Sequence, residues 1–333
     1  MSAPNFSGCD EKLVLTVQNS IFLHASELLM LILSFISVPI LVATLRKIIK
    51  DSYFHINIKM IIAVHCFSIL LHCIGRIVQH SSDLYLWLAP LPVCDKRQFF
   101  GICIASRSLF TFGVYCSSFT TVFIAIERTI ATHLSKKYEN GKSKYGVLLV
   151  VSQVPILLSL VIIFFLFSGD DFPDRPVYCM FYSRKNFATI VEIVTITSNL
   201  VSFAQCYRLY NINITLRATG AVTNLSQKYQ IEENKTLIPI LLSFTSLDFV
   251  FMVIYFLSLL IVDMLRLEKS DSTYFGLFEL IQCVPVYAIV VILVMSRVIK
   301  RIHHKKTVKL NAEVQVKDEA YFIYLKQQWS HFK

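Results

Sequence analysis

Seven stretches of about 23 residues run through this chain with almost no charge, at roughly 23–45, 57–79, 98–126, 146–168, 187–210, 237–262 and 273–296. A bilayer core takes about 20 apolar residues to cross as a helix. No water reaches the backbone there, so each segment must satisfy its own N–H and C=O groups, as an α-helix does. The composition agrees. Hydrophobic residues are 55% of the 333 and charged residues 16%, against about 25% charged in soluble domains. A disordered chain, a collagen and a disulfide scaffold are all excluded. The expected fold is an all-α membrane protein, a seven-helix bundle. Residues 1–22 form a short N-terminus, 23–296 the bundle and 297–333 a tail. Asp10, Glu11 and Lys12 sit where a signal peptide would need a basic region and an apolar core, so the first span is expected to act as its own insertion signal.

The net charge of +10 is explained by where the basic residues fall. Connections at 46–59, 127–145 and 207–236 and the tail hold about 22 Lys and Arg, and the alternate set holds about 8. Cytoplasmic loops carry that excess, which predicts an outside N-terminus and an inside C-terminus. No aromatic-interleaved basic groove points to nucleic acid. Asn5-Phe6-Ser7 is then the one outer glycosylation sequon, while those at Asn213, Asn224 and Asn234 fall in an inner loop.

Ionisable residues inside spans are costly and by default face the bundle interior. Glu27, Arg76, Arg107, Glu192 and Glu279 lie in the outer half, and Asp248 lies mid-helix. This places a polar cavity toward the outside. Ser68, His72 and Arg76 step by four along one face of the second helix, with His65 seven before His72. Arg107, Glu192, Glu279, His72 and Arg76 are the candidate ligand-binding residues, and for His72 and Arg76 an internal lock is the competing reading. Nine cysteines are present. Six lie within spans, including Cys103, and read as small buried hydrophobes; Cys9, Cys94 and Cys179 lie outside. No cysteine pair has metal-ligand spacing, His65 and His72 could supply only two ligands with no histidine in the last span to join them, no catalytic motif occurs, and no cofactor is implied. The chain is not expected to be an enzyme.

The third span ends Ile126-Glu127-Arg128-Thr129. This resembles the Asp/Glu-Arg-Tyr motif of rhodopsin-like receptors, in which the acid holds the Arg at rest and its release opens the G-protein site. Glu127 and Arg128 are accordingly the candidate coupling residues. Other marks of that pattern are missing: the second helix has His65 in the region of the usual Asp, the fourth lacks Trp, and the seventh lacks Asn-Pro-x-x-Tyr. Phe54-His55-Ile56-Asn57-Ile58-Lys59, Leu70-Leu71-His72-Cys73-Ile74-Gly75-Arg76, Tyr138-Glu139 and Leu225-Ser226-Gln227-Lys228-Tyr229-Gln230-Ile231 with Glu233-Asn234 are more specific. Together they resemble the nematode serpentine chemoreceptors of the Sra superfamily, closest to the class alpha/beta (Srab) branch.

The resemblance implies a chemosensory G-protein-coupled receptor. It would bind a small chemical ligand, couple to a heterotrimeric G protein and sit in the plasma membrane of sensory neuron cilia. The Leu225–Ile231 segment would lie in the inner loop. The recurrent bridge of seven-helix receptors implies a Cys94–Cys179 disulfide, with Cys9 a free thiol or an alternative partner. Residues 297–302 read as a short amphipathic helix on the inner leaflet. A ligand-gated cation channel of inverted topology and a transporter are the alternatives. The charge bias opposes the first, and the lack of an internal repeat opposes the second.

Overall fold

The computed structural model describes residues 9–50, 55–134, 138, 143–166, 176–179, 185–218, 225–264 and 272–330. Asn5, Glu139 and Asn224 lie outside them. The described elements are helices: α1 (Glu11–Gln18), α2 (Ile21–Lys50), α3 (Ile56–Leu88), a 3-10 turn (Val93–Lys96), α4 (Phe100–His133), α5 (Lys144–Leu166), α6 (Lys185–Ala218), α7 (Leu225–Met264), α8 (Ser272–Ile281) and α9 (Val284–Ser330). Residues up to Val291 form one compact unit, and Ile292 onward form a second.

Among the described residues, six helices are long and apolar enough to cross a membrane. The expected fourth span coincides with α5. There Leu148, Val151, Val154, Leu158 and Ile162 are all exposed, 39–64% each. Their spacing of three and four places them on one face. In water such a stripe would be a liability; in lipid it is an ordinary outer surface. Meanwhile the buried set includes Arg76, Arg107, Arg128, Glu127, Asp248 and Glu279. Apolar outside and ionic inside is the arrangement of a membrane bundle.

Close packing of α3 on α4 organises the bundle. A Cβ on Gly113 would lie 2.5 Å from the Ser68 carbonyl oxygen, and one on Gly75 2.7 Å from that of Ser106. Small residues let two backbones approach, as membrane helix pairs require. The α3 helix spans 33 residues, about 50 Å at 1.5 Å per residue. It therefore runs nine residues beyond the expected end at 79.

The structure corrects four expectations. The seventh span is not one helix: α8 stops at Ile281 and α9 begins at Val284. Pro285 explains the break, since its ring has no N–H to give and would clash with the carbonyl four residues back, at Ile281. The inner connection expected at 207–236 is mostly helical, because α6 continues to Ala218 and α7 begins at Leu225. Residues 225–231 are thus the first turns of α7. Residues 297–302 are helical, but as part of α9 rather than as a separate short element.

The fourth correction concerns the disulfides. Cys94 does not pair with Cys179. The bridges are Cys9–Cys94 and Cys103–Cys179, with Cα separations of 6.0 and 5.5 Å. Cys103 lies in the first turn of α4, which puts it at the mouth of the bundle, level with Cys179. Cys94 sits in the 3-10 turn before α4. There it meets Cys9 just ahead of α1, a helix capped by the Asp10 carboxylate accepting from the Leu13 N–H at 3.1 Å. Val17 of α1 packs with Leu23, Tyr178, Val262, Tyr274 and Phe275, so the segment before the first span is folded onto this end.

Candidate functional site

Two buried ion clusters occupy the two ends of the first unit. The first, at the disulfide end, is built on Glu279 of α8, which is fully buried. Its Oε1 accepts from Arg107 Nη2 of α4 at 2.6 Å and from the Tyr178 hydroxyl at 2.8 Å. Its Oε2 lies 3.2 Å from Arg76 Nη1 of α3 and 3.4 Å from His80 Nε2. Burial and the neighbouring Glu279 charge hold the Tyr178 hydroxyl well above the usual phenol range, so it stays a donor.

Each arginine is further tied to the backbone. Arg107 Nε donates to the Cys179 carbonyl at 2.8 Å, locking the disulfide-bonded segment onto α4. Arg76 Nη2 donates to the Gln282 carbonyl at 2.8 Å. That carbonyl lies in the α8–α9 break, where the helix leaves acceptors without intrahelical donors. A cation at a helix C-terminus also meets the negative end of its dipole. Arg76 therefore stabilises the break that Pro285 imposes.

The imidazole of His72 has a defined tautomer. Its Nδ1 faces the Phe110 carbonyl oxygen at 3.0 Å and must donate, which leaves Nε2 to accept from Arg76 Nε at 3.2 Å. Phe110 lies under both guanidinium groups, with Cζ atoms 4.8 and 5.1 Å from its ring centre. This supports two like charges through cation–π attraction.

The second cluster lies at the far end of α4. Arg128 Nε and Nη2 form a fork on Glu127, at 2.5 and 2.7 Å. The Tyr138 hydroxyl donates to Glu127 and accepts from Arg128 Nη2 at 3.2 Å. Burial, then the Glu127 charge, hold that hydroxyl above the usual phenol range. Arg128 Nη1 donates to Asn234 Oδ1 of α7 at 3.0 Å, and Asn234 Nδ2 reaches Thr132 Oγ1 at 3.1 Å and Asn213 Oδ1 of α6 at 3.3 Å. One fork thus joins α4, α6, α7 and the segment before α5. Asn213 and Asn234 are buried, which removes both from the sequons a glycan could reach.

Between the clusters, the Tyr287 hydroxyl donates to Asp248 at 2.8 Å and lies 3.3 Å from His65 Nε2. His65 Nδ1 faces the Ser117 carbonyl oxygen at 3.1 Å.

Of the sequence-selected residues, Arg76, His72, Arg107 and Glu279 come together in one cluster, and Glu127 and Arg128 in the other. Glu192 stands apart on α6, half-buried, within electrostatic reach of Tyr115 and Tyr255. The sequence reading did not select His80, Tyr178 or Gln282, and it named Tyr138 and Asn234 only as motif or sequon residues, with no part in a cluster. His80 had a signal, since it continues the four-residue step through His72 and Arg76, one residue beyond the point where the span was ended. The others are joined to their partners only by tertiary packing.

An apolar-surfaced helical bundle with ion clusters sealed inside its two ends has the make-up of a multi-pass membrane protein. A family model for the serpentine type 7TM GPCR receptor class ab chemoreceptors matches residues 8–330. The chain belongs to this family. Among similar proteins of Caenorhabditis elegans, serpentine receptor class beta-6 is 23% identical over 93% of this chain and 91% of its own length. Serpentine receptor class beta-15 is 25% identical over 59% of this chain and 57% of its own. Serpentine receptor class alpha/beta-14 is 26% identical over 56% and 49%. The chain thus matches just over half of the beta-15 receptor and nearly all of the beta-6 receptor.

Proposed function

We propose that this chain is a chemosensory receptor in which a small ligand acts on the outer half of the bundle and a heterotrimeric G protein is engaged at the opposite face. The observation that carries this is the closed Glu127–Arg128 fork, held across helices by Tyr138 and Asn234. A buried Arg with alternative partners on a neighbouring helix is the two-state element that ligand-driven repacking needs. The outer cluster is the matching input. Arg76, Arg107, His72 and Glu279 connect α3, α4, α8 and the Cys179 segment, so a ligand near them or near Glu192 would shift those helices together. Arg107 is paired, so it gives no preference for an acidic ligand. Family membership and the apolar exterior support residence in a membrane, which we assign to the plasma membrane of sensory cilia.

The orientation has the N-terminus outside, on the strength of the excess of Lys and Arg in the alternate loops. Glycosylation mapping tests it. A glycosidase-sensitive band should vanish on Asn5→Gln and persist on Asn224→Gln, since Asn213 and Asn234 are buried. A glycan on Asn224 would invert the bundle and favour a channel.

The resting lock makes a second prediction. Tyr138→Phe removes the hydroxyl shared by Glu127 and Arg128, and loss of such a charged hydrogen bond weakens a state by about 1.5–3 kcal/mol. Ligand-independent nucleotide exchange on a co-expressed G protein should rise several-fold at equal surface density. Unchanged or lower exchange would remove Tyr138 from the lock.

A further inference from the structure

We propose that Asp248, Tyr287 and His65 form a binding site for a single proton between the two ion clusters, and that the bound proton holds α7 in its resting place. The three side chains come from α7, α9 and α3, and all are buried. The Tyr287 hydroxyl lies 2.8 Å from Asp248 Oδ1 and 3.3 Å from His65 Nε2.

A count of donors and acceptors carries the inference. His65 Nδ1 is 3.1 Å from the Ser117 carbonyl oxygen, which can only accept. The ring proton is therefore on Nδ1, and Nε2 of the neutral imidazole is an acceptor. An ionised Asp248 is acceptor-only as well. The hydroxyl of Tyr287 then faces two acceptors with one proton to give. When it donates to Asp248, the His65 lone pair meets an oxygen with nothing to offer, and Asp248 Oδ2 is buried without a partner. One proton from water, added to Asp248 Oδ1, completes the row. The carboxyl donates to the Tyr287 oxygen, and the hydroxyl turns to His65 Nε2. Oδ2 becomes a neutral carbonyl oxygen, far less costly to bury than a charged one. The heavy atoms keep the same positions in both forms.

The surroundings favour the proton over a bare charge. Among the described residues, the titratable groups facing the three are one another and the Cys66 thiol, which brings no positive charge. Phe244 lies edge-on to His65 and Phe251 stacks on Tyr287, with ring centres 4.7 and 4.6 Å apart. Glu279, by contrast, stays ionised between two arginines. A buried carboxylate without such a partner neutralises itself by taking up a proton.

The site is linked to the inner lock through α7. Asn234, which accepts from Arg128 at 3.0 Å, lies about four turns before Asp248 on that helix. Pro239 stands between them and has no N–H for the Lys235 carbonyl, which makes this the natural bend point. An outward swing of α7 would admit water to Asp248 and release the proton to it. The closed form thus binds the proton and the open form gives it up, so acid favours closure and rising pH favours opening. This consequence for signalling rests on the receptor reading; the proton site itself does not.

The test is infrared spectroscopy of the purified, full-length receptor in detergent at neutral pH. A carbonyl-stretch band of a protonated carboxylic acid should be lost in Asp248→Asn and shift in Tyr287→Phe, which deletes its hydrogen-bond partner. Asp83→Asn and Glu27→Gln, which alter buried acids at the disulfide end, should leave that component in place. Asparagine keeps a donor facing the Tyr287 oxygen, so Asp248→Asn should melt at or above the wild-type temperature. The folded wild type holds a proton that the unfolded chain does not at neutral pH, so its melting temperature should fall as the pH rises. Asp248→Asn should lose that fall. Where this variant does not fold, wild-type receptor carrying isotope-labelled aspartate decides: the acid band must shift with the label and persist in Asp83→Asn. An acid band unchanged in Asp248→Asn, or absent from the labelled protein, overturns the proposal. So does a wild-type melting temperature that rises with sodium chloride but not with choline chloride and does so only with Asp248 present, since an ionised Asp248 would then be holding a metal cation. The readout uses neither ligand nor G protein, so the receptor reading stands or falls separately.

Discussion

Replacing Glu279 with alanine should remove nearly all folded receptor from the cell surface. The carboxylate is fully buried and meets Arg107 at 2.6 Å, Arg76 at 3.2 Å and the Tyr178 hydroxyl at 2.8 Å. Removing one partner of a buried pair typically costs about 3–5 kcal/mol, because the orphaned charge stays out of water. Here two guanidinium groups are orphaned at once. At about 1.4 kcal/mol per factor of ten, that is a loss of at least a hundredfold in the folding equilibrium. Surface biotinylation and thermal melting of solubilised protein would measure it. The compensating change is informative. Arg107→Met together with Glu279→Met removes one charge of each sign, and such swaps are often neutral. Arg76 keeps His72 and the Gln282 carbonyl. The pair should recover most of the surface level. A single Glu279→Ala variant with wild-type expression and melting would show that the cluster does not hold the bundle.

Arg128→Ala should abolish signalling. In the resting arrangement every guanidinium nitrogen of Arg128 has a partner on Glu127, Tyr138 or Asn234. Truncation leaves nothing to carry to a G protein when these contacts open. It also orphans Glu127, so the decisive variant combines Arg128→Ala with Glu127→Gln, which takes the uncompensated charge away. That double variant should reach the surface near wild-type levels and give no exchange above background, even in the Tyr138→Phe context that raises basal activity. Exchange persisting in it would assign coupling to other residues.

Much of the architecture was legible in the sequence because the bilayer restricts the options. Uncharged runs of about 23 residues have to be helices, and charges inside them have to face inward. This is why Arg76, Arg107 and Glu279 could be chosen from the sequence, and all three are buried; Glu127 and Arg128, just past the third span, were chosen by their resemblance to a receptor motif and are buried as well. Element ends were the weakest part. The span ending at 79 hid His80, and counting Cys103 as membrane interior hid its disulfide. The first error arose because α3 continues to Leu88, past the apolar run, and the second because the apolar run at 98–126 already begins at the mouth, where α4 makes its first turn.

What the sequence by itself determined was the phase and the solvent: which residues lie on one helical face, and that the outward face meets lipid. What only the tertiary structure decided was who pairs with whom. Glu127 and Arg128 are adjacent, and successive residues on a helix point about 100° apart. Their fork is held by other elements: Tyr138 bonds both side chains, and Asn234 bonds Arg128. Likewise Arg76, Arg107 and Glu279 come from three helices, and Glu279 can serve both arginines only where α3 and α4 pack at glycine distance. Spacing along one helix is a local property of the chain, whereas partner choice depends on distances set by the packing of several helices.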